Sequence, residues 1–274
     1  MTVKIITDST CYLDKDFIER ENVTVVPLHY VFDGEEFKEG FPGEFGEFYN
    51  KLQSTKLFPT TSQPAAGDFQ VAYLDGFKDY DEAIAIVLSS KISGTYTSAM
   101  LANGMLEDKK VTIVDSFVAA SALGFLVEDA VKLAKEGKNA KEIGEFLNEQ
   151  KKKLEVYVTP ETLDYLSRGG RMSSIQSSIG NLLSIKPIIR LVDGELKLVE
   201  KARGRNKAIA RMIEMVEPHI KRISVCHILN YEEAETVANT LKEKYPKARI
   251  TIDELGPVIG SHLGPKTLGL CLYY

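Results

Sequence analysis

The run EAIAIVLS, Glu82 to Ser89, constrains the fold most, because it is continuously apolar from Ala83 to Leu88. A segment this short with no polar face fits a strand covered on both sides, as in a parallel sheet packed between helices. The sequence around it agrees. AGDFQVAYLDGF before it has helical spacing, a helix is expected from about Thr95, and KVTIVDS reads as the next strand. VKIIT near the amino terminus gives a further strand, followed by a helix around Leu13 to Arg20. β-rich runs that alternate with helical patterns are the signature of α/β architecture.

The chain has 274 residues, enough for one large domain or two modest ones. Its character changes near residues 154 to 160, which predicts domains over 1–155 and 156–274. EVYVTP is read as a strand, and TLDYLSRGGRMSSIQSSIGNLL as a helical pattern broken by a glycine pair. Asp193-Gly194 between two β-prone runs predicts a hairpin. RISVCHIL, ARITIDEL and LGLCLYY are expected strands, with helices from about Asn206 and from Tyr231. VTVVPLHYVF is read as one extended region, and FPTTSQP and GPVIGSHLGP as loops punctuated by proline and glycine.

Composition removes several function classes. The net charge of −5, with no basic stripe interleaved with aromatics, argues against nucleic acid. Lys151-Lys152-Lys153 is expected to be a solvated helix end. Cys11, Cys226 and Cys271 lack paired spacing, favouring a reducing compartment and giving no support for zinc. There is no export pattern and no apolar run of bilayer length, so a cytoplasmic protein is expected.

The stretch LSSKISGTYTSA, Leu88 to Ala99, places several hydroxyls where a buried strand ends. KIITDST and VTIVDSF end in the same way, which predicts that Asp8, Ser9, Ser89, Ser90, Asp115 and Ser116 gather along one sheet edge as a polar crevice. Each of these residues also suits a helix cap. A serine nucleophile would need one of four histidines as base, and no G-x-S-x-G elbow is present. His29 and His227 fall inside strands, whereas His262 lies in a stretch punctuated by glycine and proline, so the esterase or thioesterase reading pairs Ser93 with His262. No phosphate loop or metal motif occurs, although RGGR, Arg168 to Arg171, suits either an anion or a plain turn. A carboxylate clamp fits better. Hydroxyls of Thr61 and Ser93 can donate to a carboxylate, beside the amide end of a helix starting near Thr95. Ala119, Ala120, Ala122 and Gly124 leave room for an apolar tail or for close helix packing.

TDST, TTSQP, SSKISGTY, VDS, LSRGGR, KPII…DGEL and GPVIGSHLGP occur in the order found in DegV proteins, from residue 7 to residue 265. The chain resembles that family over essentially its whole length. The resemblance implies a two-domain EDD fold, with a mainly parallel amino-terminal sheet and a carboxy-terminal domain with a mixed sheet. It implies a non-enzymatic, lipid-binding protein that holds one long-chain fatty acid, such as palmitate or oleate, between the domains and uses no cofactor. The implied partner is a bacterial fatty-acid kinase subunit that makes acyl-phosphate for phospholipid synthesis, with transient membrane contact. By motif, Thr61, Ser93 and His262 would hold the carboxylate, with Ser62, Gly94 and Arg171 nearby. Lys266 departs from the family's usual glycine, which puts the shape of the loop beside His262 in question.

Overall fold

The structure is a computed structural model that describes residues 2–172 and 185–274. The amino-terminal half runs β1 (Val3–Asp8), α1 (Lys15–Arg20), β2 (Thr24–Val26), β3 (His29–Phe32), β4 (Glu35–Lys38), α2 (Gly46–Ser54) and β5 (Thr60–Ser62). It continues through α3 (Ala66–Asp79), β6 (Glu82–Val87), α4 (Thr95–Gly104), β7 (Thr112–Asp115), α5 (Ser121–Lys135) and α6 (Ala140–Gln150). Then come β8 (Leu154–Thr159), α7 (Asp164–Arg168), β9 (Ile185–Val192), β10 (Glu195–Arg203), α8 (Arg205–Glu214) and β11 (Arg222–His227). The chain closes with α9 (Tyr231–Lys244), β12 (Arg249–Glu254), α10 (Pro257–Leu263) and β13 (Leu268–Tyr273).

Among the described residues the strands form three sheets. The first is parallel, ordered β2-β1-β6-β7. Alternate residues of its central strands serve opposite cores. Ile6, Ala83, Ala85 and Val87 pack with Phe69 and Tyr73 of α3 and Ala99 and Ala102 of α4. Ile5, Ile84 and Ile86 belong with Leu126 of α5 and Ile143 and Leu147 of α6. Double coverage is why these strands show no polar face. Asn139 closes the start of α6 by accepting from the Glu142 amide at 2.9 Å, while Glu142 accepts from the Asn139 amide at 3.0 Å.

The carboxy-terminal sheet is mixed, ordered β10-β9-β8-β13-β11-β12, with β11 and β12 parallel and the other neighbours antiparallel. One face, including Ile223, Val225, Leu270 and Leu272, packs with α8 and α9. The other, including Val158, Ile189, Cys226 and Cys271, shares a core with α5 and the amino-terminal sheet. The predicted hairpin forms with φ of 51° at Asp193 and 83° at Gly194, as a two-residue type I′ turn requires.

Several readings of local sequence are corrected. VTVVPLHYVF is not one extended element. Pro27 and Leu28 separate β2, in the parallel sheet, from β3, in a small antiparallel sheet ordered β4-β3-β5. FPTTSQP is not only loop, because Thr60, Thr61 and Ser62 pair with Val31, Tyr30 and His29. GPVIGSHLGP is a helix, α10, with proline in its first turn and the turn-forming Gly264 at φ 75° after it. Lys151 is not merely solvated: its ammonium lies 4.2 Å from the Phe117 ring centroid and donates to the Asp115 carbonyl at 2.8 Å. Of the helical pattern broken by a glycine pair, the part before the pair forms α7, and the part over 173–184 lies outside the described residues.

The polar strand ends do gather at the edge of the parallel sheet, but as buried wiring rather than as a crevice. Asp8 accepts from the Leu88 amide at 2.7 Å and from the Thr10 hydroxyl at 2.6 Å. Asp115 accepts from the Ser90 amide at 3.1 Å, and Ser116 donates to the Val118 carbonyl at 3.1 Å. Ser89 donates to the Gly194 carbonyl at 2.8 Å, tying the carboxy-terminal hairpin to the amino-terminal sheet. A Cβ on Gly194 would stand 2.4 Å from the Ser89 hydroxyl oxygen. Gly194→Ala is therefore expected to destabilise the protein by roughly 2 kcal/mol, combining backbone strain with the lost dock. By contrast, Lys266 holds φ 59°, so Lys266→Gly is expected to stabilise by about 1 kcal/mol. Urea unfolding midpoints of the two variants check both signs.

Candidate functional site

A cavity of about 380 Å³ lies between the inner face of the mixed sheet and the amino-terminal half. Its wall is mainly aliphatic, with Leu88, Ile92, Val158, Leu191, Leu196 and Val258 representative. The polar lining comes from Thr61, Ser62, Gln63, Ser93, Arg171 and His262, together with Tyr157 and two thiols. Five of the six residues singled out in the sequence thus border one space, although they come from β5, the turn before α4, the turn after α7, and α10. The sixth, Gly94, stands behind it. A Cβ there would lie 2.0 Å from Gln63 Oε1. Glycine lets the Gln63 carboxamide pack against that turn and donate to Ser98 Oγ at 3.2 Å.

Thr61 Oγ1 and His262 Nε2 are 2.7 Å apart. The other imidazole nitrogen, Nδ1, is buried without a hydrogen-bond partner among the described residues. Burial and then the nearby Arg171 charge push the His262 pKa down to about 4, so the ring is neutral at neutral pH. Gly169 permits its placement, because a Cβ at that position would sit 2.2 Å from His262 Nδ1. The first glycine of RGGR therefore makes space for a histidine nearly a hundred residues later in the chain. Arg171 folds back, Nη1 donating to the Gly169 carbonyl at 2.7 Å and Nε to the Ile92 carbonyl at 3.3 Å. Its lining position faces a cation towards a largely apolar space, and desolvation lowers its pKa.

Ser93 Oγ lies 2.8 Å from Thr95 Oγ1 and accepts from the Thr95 amide at 3.3 Å, forming the turn that starts α4. A hydrolase would instead pair the serine hydroxyl with its base. Here Thr61 occupies His262 Nε2, no carboxylate among the described residues orients Nδ1, and the low pKa makes the imidazole a weak base. The small residues beyond β7 divide the two roles expected of them. Ala119 and Ala120 border the cavity, whereas a Cβ on Gly124 would lie 2.8 Å from the Cys11 carbonyl oxygen, so Gly124 serves close packing.

The DegV family model, described as an uncharacterised protein family, matches residues 2–274. This chain belongs to the DegV family. Protein DegV of Bacillus subtilis is 37% identical over 277 residues, covering 99% of each chain. The crystal structure of that organism's DegV, described as a fatty acid binding protein, matches with a TM-score of 0.93 and 36% identity over the full length of both chains. A DegV family protein from Thermus thermophilus, described by its fatty acid binding, matches with a TM-score of 0.89 and 32% identity, covering 100% of this chain and 99% of that one. The α/β architecture with one parallel and one mixed sheet is thus the architecture of DegV crystal structures. Among the described residues, no helix is long and apolar enough to cross a membrane. Nor does any group of three or more histidine, cysteine, aspartate or glutamate side chains gather as a metal site there.

Two participants were not among the site residues read from the sequence. Gln63 had a usable signal, its place between Thr61 and Pro64 in TTSQP. Glu39 had none. Its buried carboxylate accepts from Ser9 Oγ at 2.6 Å, Tyr12 OH at 3.1 Å and the Val258 amide at 2.8 Å. It therefore anchors the start of α10, the helix that carries His262. Burial raises its pKa to about 7, and burial raises that of Asp8 to about 6. Folded protein consequently holds more protons than unfolded protein over the range from about 4.5 to about 7. The stabilisation is full below that window and is lost as pH rises through it, by on the order of 1–3 kcal/mol. Urea midpoints across the window should fall with rising pH, and Glu39→Gln should flatten the fall. A profile that rises in the parent protein contradicts the assignment.

Proposed function

We propose that this protein binds a long-chain fatty acid, with the acyl tail in the aliphatic cavity and the carboxylate at Thr61, Ser93 and His262. The observation that carries the reading is a largely apolar cavity with hydroxyls, a neutral imidazole and Arg171 on its lining. Family membership supports it, since the Bacillus subtilis and Thermus thermophilus relatives are described as fatty acid binders. The proposed division of labour follows from magnitudes. Burying about fourteen methylenes at about 0.8 kcal/mol each offers roughly 11 kcal/mol before ordering losses. Hydrogen bonds to the carboxylate add about 1–3 kcal/mol apiece and fix the direction of the chain.

The neutral histidine matters in this reading. If His262 Nε2 carries the ring proton and donates it to Thr61 Oγ1, the threonine hydrogen is free to point at a carboxylate oxygen. Ser93 offers a second hydroxyl, Arg171 adds charge compensation, and Ser62, Gln63 and Gly94 hold the rim in place. The ligand would lie between domains spanning 1–155 and 156–274. The protein would present its carboxylate in the cytoplasm to a separate fatty-acid kinase subunit, with no phosphoryl-transfer chemistry of its own. A serine esterase using Ser93 and His262 is the weaker reading, because those side chains are engaged by Thr95 and Thr61.

Denaturing extraction of protein purified from a bacterial host, followed by mass spectrometry, should release close to one fatty acid per chain. Thr61→Ala and Ser93→Ala should each weaken palmitate or oleate binding by about 5- to 150-fold, equivalent to about 1–3 kcal/mol. Absence of a co-purified acid together with no uptake of added palmitate or oleate would overturn the reading. Ester turnover lost in Ser93→Ala would replace it with the hydrolase.

A further inference from the structure

The strand wall of the cavity carries two thiols in contact. Cys226 of β11 and Cys271 of β13 both line it, both are almost fully buried, and their sulfurs are 3.6 Å apart. The register sets Cys271 opposite Ser224 and Cys226 opposite Gly269, so the thiols are diagonal neighbours on one face. Behind Cys226 lies a polar chain. Its sulfur is 3.2 Å from Ser224 Oγ and 3.6 Å from Ser121 Oγ. Ser121 donates to Asp253 Oδ2 at 2.8 Å, and Ser224 donates to the same oxygen. Each hydroxyl has one hydrogen, and spending it on Asp253 leaves its lone pairs for the thiol proton.

Asp253 and Ser121 border a second cleft, about 570 Å³ in volume, which charged residues including Lys15, Arg20, Glu128 and Arg249 also line. A thiol proton from the greasy cavity thus has a hydroxyl-to-carboxylate route to a polar space. The sulfur left behind faces hydrogen-bond donors in Cys271 and Ser224. These contacts, with the Cys271 thiol foremost, hold the Cys226 pKa below its ordinary value despite burial. Cys271 shifts the other way, well above it. Cys11, which borders the second cleft and not the acyl cavity, is pushed up to about 12 by desolvation and serves as an internal control.

We propose that Cys226 and Cys271 form a thiol peroxidase centre for long-chain acyl hydroperoxides that enter the cavity. This proposal rests on the fatty-acid reading above. Cys226, having passed its proton through Ser224 to Asp253, attacks the terminal oxygen of R–O–OH. The S–O bond forms, the O–O bond breaks, and the departing alkoxide takes up a proton to become the alcohol. The Cys271 sulfur then attacks the Cys226 sulfenic acid, and its proton leaves with the hydroxyl as water. The hydroperoxide is reduced by two electrons and the thiol pair is oxidised by two. Closure moves the sulfurs from 3.6 Å to about 2.05 Å, and an external dithiol restores the pair. Cys226 is the catalytic residue, while Ser224 and Asp253 are positioning residues.

The test mixes reduced full-length protein, stripped of lipid, with linoleic acid hydroperoxide, with linoleic acid or with hydrogen peroxide. The expected result is one equivalent of hydroxy acid and loss of two hydrogens from the intact protein mass, with Cys11 still alkylatable. The rate should exceed that with hydrogen peroxide by about tenfold or more, because only the acyl chain is concentrated by burial. Cys226→Ala should abolish product, and Cys271→Ala should give product but leave a trappable sulfenic acid. Ser224→Ala should lower the maximum rate without moving the half-saturating hydroperoxide concentration. Linoleate binding, measured on every variant, reports whether the cavity is intact. Binding without reduction, or equal reactivity of hydrogen peroxide, overturns the peroxidase and leaves the fatty-acid reading standing. Failure of the parent protein to bind either linoleate or its hydroperoxide overturns both.

Discussion

The site depends on how the carboxy-terminal chain is pinned to the edge of the amino-terminal sheet. Buried polar anchors do this, Glu39 and Ser89 among them. Glu39 receives the Val258 amide at the start of α10, and Ser89 holds the Gly194 carbonyl at the hairpin turn. Both are buried, so each lost bond would leave a desolvated partner rather than a hydrated one. Apolar contact between the mixed sheet and α5 supplies attraction without direction. The polar anchors supply the register. With both fixed, the sheet edge, α10 and the mixed sheet enclose a space instead of collapsing into a filled core.

The same geometry separates tasks that share residue types. Hydroxyls at the ends of β1, β6 and β7 and in the turns that follow serve loops and caps, while Thr61 and Ser93 reach the cavity. Ser121 and Ser224 converge on Asp253 behind its thiol wall. Glycines show a comparable division. Gly169 yields space to His262, and Gly94 yields space to Gln63. Among the described residues, Arg171 is the one cation on the mainly aliphatic lining.

The alternation of strands and helices was legible because double burial leaves a distinctive apolar run, as in β6, and because Asp193-Gly194 meets the dihedral demands of its turn. The ordered motifs of the DegV family were legible for a different reason: each marks a turn or strand end where backbone and side chain are both constrained. FPTTSQP was misread as wholly loop because a three-residue edge strand is too short to show periodicity. GPVIGSHLGP was misread because glycine and proline look like loop punctuation, although proline at a helix start and glycine after its end are ordinary helix boundaries. The polar crevice was misread because serine and aspartate at a strand end look the same whether they face a ligand or a neighbouring amide.

Sequence by itself determined the α/β class, the hairpin and the set of residue types able to receive a carboxylate, because those follow from local periodicity, dihedral preference and side-chain chemistry. Only the tertiary structure decided that Thr61 meets His262, that Gly169 makes room for that ring, that Glu39 anchors its helix and that Cys226 touches Cys271. Each of these contacts joins segments far apart in the chain, and no local rule encodes a distance that packing alone sets.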